Sequence, residues 1–256
     1  MQPVTILQSA PSDRPVWVSQ CMKSVEQWAV GSRYGYETLG DDLFDWVAPE
    51  RRKKLLGRTP ILADLARLRW IESVLSQRGG LVVWIDADSL CLDPSWRLPI
   101  TEHTFFGEEC WVQKNAQGRW RTYCSPHNAF MGFTSASPVL AFLAYLSESI
   151  IDRADPTRIA PQMIGPKLLK TLNSLAGFTL VPEAGAVSPA LLAEWVGERG
   201  DALACYERAN RPPLAMVNLC SSLVNSDADT QHVTSLLDKI LAGWSVAYGS
   251  MLVRKK

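Results

Sequence analysis

This sequence predicts an α/β fold: one open, mixed and mainly parallel sheet flanked by helices. Three observations point there. Leu81-Val82-Val83-Trp84-Ile85 is apolar without alternation, as in a strand covered on both faces. Helix-period and strand-like segments alternate along the 256 residues. The apolar strand ends in two carboxylates, Asp86 and Asp88. In open α/β sheets, ligands bind outside the carboxyl ends of the strands.

Val4-Thr5-Ile6-Leu7 reads as a first strand, with Ser9 to Pro15 as a loop. Val16 to Trp28 reads as a helix, because Val18, Met22, Val25 and Trp28 fall near one stripe. Tyr34 to Leu39 is a second strand, and Asp41 to Lys54 a charged, helical connection. The strongest helix runs from Pro60 to Gln77. Thr59 serves as its N-cap, Pro60 occupies the first helical position, and Gly79 is the stop. Strand 81–85 follows. Residues 100–125 read as irregular β structure with a hairpin around Asn115-Ala116-Gln117-Gly118. Asn128 to Thr134 is a further strand. Helices are expected from Pro138 to Ile151 and from Pro166 to Leu175. Phe178 to Val181 and Leu214 to Val217 are strands, and Asp227 to Leu241 a closing helix. There is no internal repeat, low-complexity segment or linker, so residues 1–256 are expected to form one domain.

A domain this size buries roughly 75% of the surface its unfolded chain exposes, so it needs no disulfide or structural metal to fold. Lysine and arginine balance aspartate and glutamate at 26 each, which excludes a broad electrostatic footprint for nucleic acid. Six cysteines include no Cys-x-x-Cys pair and only three histidines accompany them, so a structural zinc site is not expected. The N-terminus lacks a basic region followed by an apolar stretch. No apolar run reaches the ~18 residues of a membrane span; the longest, Pro138 to Ile151, is broken by Ser147, Glu148 and Ser149. A reduced cytoplasmic setting is expected, with the inner membrane face as an alternative position. Arg254-Lys255-Lys256 reads as a solvated basic tail.

The carboxylate pair carries the chemistry. Asp-x-Asp alone is a weak motif, and a second copy, Asp227-Ala228-Asp229, reads as a helix cap or loop. The pair at 86 and 88 differs because a buried strand delivers it, and buried charge is costly unless paired or metal-bound. Strand alternation would send Asp86 and Asp88 to the same side. There they could hold Mg²⁺ or Mn²⁺ against a diphosphate leaving group, neutralising charge as its bond to a sugar breaks. On the preceding helix Asp64 and Arg67 fall in the apolar stripe with Leu68, Ile71, Val74 and Leu75. They read either as a private ion pair or as pocket residues that hold sugar hydroxyls.

These residues resemble a known family. Pro60 to Arg67, then Arg78-Gly79-Gly80 and Leu81 to Asp88, are similar to the signature block of glycosyltransferases with a DXD sugar-binding region. That group, family 32 and its relatives, includes fungal-type initiating mannosyltransferases and bacterial capsule and lipopolysaccharide sugar transferases. The large glucosylating toxins are more distant members. His127-Asn128-Ala129-Phe130-Met131 and Ile164-Gly165-Pro166 resemble two later family segments. The resemblance implies a single Rossmann-like GT-A domain and a metal-dependent hexosyltransferase that keeps the anomeric configuration. It would use a nucleotide diphosphate sugar as donor and a hydroxyl acceptor. It further implies that Asp86 contacts donor sugar and metal, that Asp88 ligates the metal, and that Asp64 and Arg67 bind the donor sugar. Trp84 would lie near the nucleotide, Gln8 and Ser9 would line the base pocket, and Asn128 would belong to the donor site. Two departures stand out. Ser9-Ala10-Pro11 replaces the Trp that often follows the first strand, and Asn218 stands where the family often has a metal-binding His. Asn218 could supply an oxygen ligand in its place.

A haloacid-dehalogenase-type phosphatase also places Asp-x-Asp after an apolar strand, though normally on the opening one. A catalytically silent relative that binds a glycan or a partner is the other alternative. Glu108, Glu109, Glu183 and His127 are the candidates for a general base, with no choice among them. Residues 101–126 are a candidate for acceptor contacts.

Overall fold

A computed structural model describes residues 2–99, 102–155, 157–158, 160–242, 244–246 and 252–254. Strands and helices alternate as the hydrophobic pattern requires. In chain order they begin with β1 (Val4–Ser9), α1 (Val16–Gly31), β2 (Gly35–Leu39), a 3₁₀ turn (Asp41–Trp46), α2 (Pro49–Lys54), α3 (Thr59–Arg78) and β3 (Leu81–Ile85). Next come β4 (Ser89–Cys91), the hairpin of β5 (Thr104–Lys114) and β6 (Trp120–Thr134), then α4 (Val139–Arg153) and α5 (Pro166–Ala176). The last third holds β7 (Thr179–Val181), β8 (Ala184–Ala186), α6 (Pro189–Val196), α7 (Asp201–Arg208) and β9 (Met216–Asn218). A second 3₁₀ turn (Ser221–Leu223), α8 (Asp227–Leu241), β10 (Trp244–Val246) and β11 (Leu252–Arg254) end the chain. Lys255 and Lys256 of the basic tail lie outside the described residues.

The main sheet has six strands in the order β2-β1-β3-β6-β5-β7. The β1–β2, β1–β3 and β5–β7 pairings are parallel, whereas β6 runs antiparallel to both β3 and β5. This is the expected mixed α/β sheet. Alternate residues separate its two faces. Leu7, Val82, Trp84, Phe106, Met131 and Phe133 pack against α3, α4 and α5. Val4, Ile6, Leu81, Val83, Ile85, Phe105 and Phe130 pack on the α1 side with Val25, Trp28 and Ala29. All five residues of β3 are buried, which is why its sequence does not alternate. Each large apolar side chain buried there is worth about 1.5–3 kcal/mol. A third apolar cluster joins the start of α1 to α6, α7 and α8 and to Cys110 and Val112 of β5.

The chain leaves β1 for β2 on one side and reaches β3 on the other, so the order reverses at β1. A crevice opens at such a reversal, outside the carboxyl ends of the flanking strands. Helix α3 aims its buried Asp64 and Arg67 at the same place. Arg58 rather than Thr59 precedes the first helical residue, and no side chain caps this end; Arg58 Nη2 donates instead to the Thr157 carbonyl (3.0 Å). Gly79 ends the helix with φ of 63°, a left-handed value that favours glycine.

The small sheet β4-β9-β8 lies beyond the end of β3. Strands β4 and β8 and helices α6 and α7 carry no expectation from the sequence. The second Asp-x-Asp is a helix start: Ser226 and Asp229 form a capping box on α8. Cys110 and Cys124 face each other across the β5–β6 hairpin and form a disulfide. Such bonds persist in oxidising surroundings, so this pair does not accord with the expected reduced setting. Among the described residues, no helix is long and apolar enough to cross a membrane.

Candidate active site

Asp86 and Asp88 sit on a tight turn rather than on a continued strand. β3 stops at Ile85, and Ser89 N–H donates to the Asp86 carbonyl at 3.0 Å. The shared side expected from strand alternation therefore arises another way: each aspartate is held separately. Asp86 Oδ1 accepts from Arg67 Nη1 (2.9 Å) and Trp84 Nε1 (2.6 Å). Asp88 Oδ1 accepts from Asn218 Nδ2 (2.6 Å) and Oδ2 from the Ser221 N–H (2.7 Å). Burial raises the pKa of Asp86, and the Arg67 guanidinium opposes that rise.

Arg67 is the hub. Only 8% exposed, it binds Asp64 Oδ1 through Nη2 (3.0 Å) and donates through Nη1 to Asp86 and to the Asn128 carbonyl (3.0 Å). Its guanidinium also lies 4.9 Å from the centroid of the Trp84 ring, within cation–π range. Of the two sequence readings, the ion pair of Asp64 and Arg67 is present, though not a private one, since Arg67 also reaches the aspartate turn; of the two residues, Arg67 alone lines the first cleft. Asp64 itself is 7% exposed and stands behind the cleft wall. Asn128 Nδ2 donates to it (2.7 Å), and the Gly165 backbone closes over it so tightly that a Cβ there would lie 2.6 Å from Asp64 Oδ2. Burial pushes its carboxyl up to about 6, against the pull of Arg67. Direct contact between Asp64 and a ligand would require that cover to move.

Two clefts meet at the turn. The first, about 400 Å³, is walled by the 9–15 loop, Phe44, Arg67 and Trp84, with Asp86, Asp88 and Ser221 at its floor. Ser9 lines it as expected. Gln8 does not: it is fully buried, with Nε2 donating to the Asp86 carbonyl (3.1 Å) and Oε1 accepting from Tyr36 (2.8 Å). Both of its amide ends are spent on the fold, so it supports the turn from below. The second cleft, about 560 Å³, shares Asp86, Asp88 and Ser221 and is lined by Asn128, His127 and the β5 residues Glu109, Trp111 and Gln113. Both volumes fall in the range of small-ligand pockets.

A divalent cation fits the donor set at the turn. Among the described residues, the hydrogen bonds to the Asp86 carboxylate fall on Oδ1 and none on Oδ2, and each carboxylate retains lone pairs. Among the described residues, no third acidic, histidine or cysteine side chain clusters with them. Two carboxylates plus phosphate oxygens and water match what Mg²⁺ or Mn²⁺ takes. Asn218 is a correction to the expected ligand set. Its Nδ2 faces Asp88 and its Oδ1 accepts from the Cys220 N–H (2.9 Å), so it orients Asp88 rather than offering an oxygen to a metal.

Of the four base candidates, Glu109 and His127 line the second cleft, while Glu108 forms an ion pair with Arg211. Glu183 lines neither cleft; its carbonyl receives the N–H groups of Ala215 and Met216. Arg14 in the first cleft carried no motif in the sequence. The available signal was its place in the loop that follows the first strand, at a carboxyl end of the sheet.

No family model matches the sequence, and no curated protein does. Among solved structures, the fold is similar to the crystal structure of a glycosyltransferase involved in the glycosylation of the major capsid of PBCV-1. The two are 12% identical, with a TM-score of 0.50, and the match covers 90% of this chain and 98% of that one. At this identity the likeness speaks for the fold, a GT-A-like α/β domain.

Proposed function

We propose that this chain is a glycosyltransferase. It would move a hexose from a nucleotide diphosphate sugar to a hydroxyl acceptor, with Mn²⁺ or Mg²⁺ bound at Asp86 and Asp88 and with retention of configuration, as the resemblance implies. One observation carries the reading: two clefts of ligand size open on either side of one carboxylate turn. A two-substrate transfer needs that arrangement, donor on one side and acceptor on the other, with the reacting carbon between them. The first cleft suits the nucleotide, since Phe44 and Pro11 offer apolar surface and Arg14 a cation. The second suits the acceptor.

In the transfer a new bond forms between an acceptor oxygen and the anomeric carbon. The bond to the diphosphate oxygen breaks, its electron pair leaves with the diphosphate, and the hydroxyl's proton passes to the departing diphosphate or to water. A bound divalent cation would neutralise the charge that collects on the leaving group. The protein's own share is positional. Arg67 and Trp84 fix Asp86, while Asn218 and the Ser221 N–H fix Asp88. Groups held in advance cost no reorganisation as charge develops.

Asp88→Ala tests the reading. The variant should fold, because Asp88 lies on a surface turn, and should lose Mn²⁺-dependent hydrolysis of its sugar nucleotide by roughly 10²–10³-fold. Unchanged hydrolysis would reject the role of Asp88. A protein that binds a nucleotide but never cleaves a donor would be the silent relative instead.

A further inference from the structure

The β5–β6 hairpin runs on past the rest of the main sheet. β3 pairs only with residues 130–134 of β6, so the stretch 120–126 has β5 on one side and no strand on the other. The hairpin register decides which backbone groups line that open edge. Cys110 and Cys124 are direct partners with Cα atoms 4.2 Å apart, the close spacing of a pair that exchanges no backbone bonds. The Asn115 N–H donates to the Arg119 carbonyl, which fixes the same alternation from the turn. Thr122 and Cys124 therefore point their N–H and C=O groups outward. Among the described residues, nothing bonds to them.

Such an edge is a template for another strand, and proteins blunt it with charge or proline. Pro126 has no N–H and ends the run on one side. Arg121 is exposed, and no described carboxylate pairs with it. Its neighbours make the edge fit its own copy rather than repel it. Tyr123 is 43% exposed and lies opposite Trp111 on the face of the second cleft. Glu109 lies opposite Ser125 on that face and leans towards the edge, where its Oε1 accepts from Ser125 Oγ (3.1 Å).

We infer that this edge pairs antiparallel with the same edge of a second copy of the chain, about a twofold axis at Tyr123. Thr122 then exchanges both backbone bonds with Cys124 of the second copy, and symmetry repeats the exchange. Trp111 and Tyr123 of each copy join in one aromatic row across the paired hairpins. Arg121 faces Ser125 of the second copy, with Glu109 one strand behind it. Aromatic and opposite-charge pairs across strands are the contacts that stabilise sheets. Each Arg121 thereby reaches the rim of the other copy's second cleft, whose charged side chains within one copy are the carboxylates Asp86, Asp88 and Glu109. The dimer goes beyond the transferase reading and does not rest on it.

Sedimentation velocity of the whole chain over a concentration series tests the pairing, and a monomer–dimer equilibrium is expected. Arg121→Glu should weaken the dimer roughly tenfold or more, because the twofold axis reverses both charge contacts at once. Adding Glu109→Arg to that variant should restore it. Tyr123→Cys reads the register, since only a residue on the axis meets its own copy. Mild oxidation should link the chains through it, whereas Gln113→Cys, exposed on the same face of β5, should stay unlinked. The cross-link decides the matter even where a charge variant fails to fold. A chain that stays monomeric throughout, a dimer indifferent to Arg121→Glu, no recovery in the double variant, or linking through Gln113→Cys but not Tyr123→Cys would overturn the proposal.

Discussion

Asp64→Asn should stabilise the unliganded protein at neutral pH. Asp64 is 7% exposed, shares Arg67 with Asp86, and has its carboxyl pushed from the ordinary 3.8 to about 6, chiefly by burial. An acid with a higher pKa folded than unfolded binds more protons in the native state between the two values. Its contribution to stability is therefore complete below about pH 4 and is lost as pH rises through about 6. Roughly two pKa units at about 1.36 kcal/mol each set an upper bound near 3 kcal/mol. Asparagine keeps the size and an oxygen to accept from Asn128, and Arg67 keeps Asp86 as its partner. Urea unfolding of both proteins at about pH 4, 5.5 and 7 reads the effect. Since the two differ at one group, other titrations cancel in the difference. That difference should grow with pH by about 1–3 kcal/mol, with the asparagine protein the more stable at pH 7. A difference that stays flat with pH, or an asparagine protein less stable at pH 7, would refute the reasoning. A carboxylate kept at this cost is the kind of strain a binding site retains.

Gly107→Ala should destabilise by about 1–3 kcal/mol in urea, because the new methyl overlaps His127 and the Ala184 carbonyl; wild-type stability would show that the β5–β6–β8 contact is looser than described. Replacing both Cys110 and Cys124 by alanine should cost about 2–4 kcal/mol, given that they close a loop of sequence separation 14. Reduced wild-type protein should match that variant, and no effect of either change would mean that the bond does not form.

Much of the fold was legible because its signals are local. The uniform burial of β3 writes an unbroken apolar run, the left-handed Gly79 marks the end of α3, and the stripe of α1 follows the helical period. The same locality explains what was missed. β4 and β8 are three residues long, too short for any period to show, and exist only because β9 lies between them. The register of β5 on β6 breaks between Phe106 and Gly107, where three residues of β6 have no β5 partner and Asn128 turns to Asp64. No spacing rule announces such a bulge. Nor does sequence show that Cys110 and Cys124 stand opposite each other, which the hairpin register decides.

The candidate site divides along the same line. Asp64, Arg67, Trp84, Asp86 and Asp88 come together because a helix and a strand, each readable alone, converge on one turn. Gln8 and Asn218 were expected to face ligands from the family resemblance, but neighbouring backbone and side-chain groups claim their amides. Trp111 was hidden inside a stretch rich in aromatic residues. Only the alternation of β5 separates it from Cys110 and Val112, which face the core.

The most direct measurement is the anomalous density of Mn²⁺ in crystals grown with a nucleotide diphosphate sugar. The metal should bond oxygens of Asp86 and Asp88 and both phosphates, at the oxygen distances of a hard divalent ion, about 2.0–2.3 Å, with the nucleotide in the cleft beside Arg14. Nucleotide bound with its metal away from both aspartates, or bound there with no metal at all, would contradict the account.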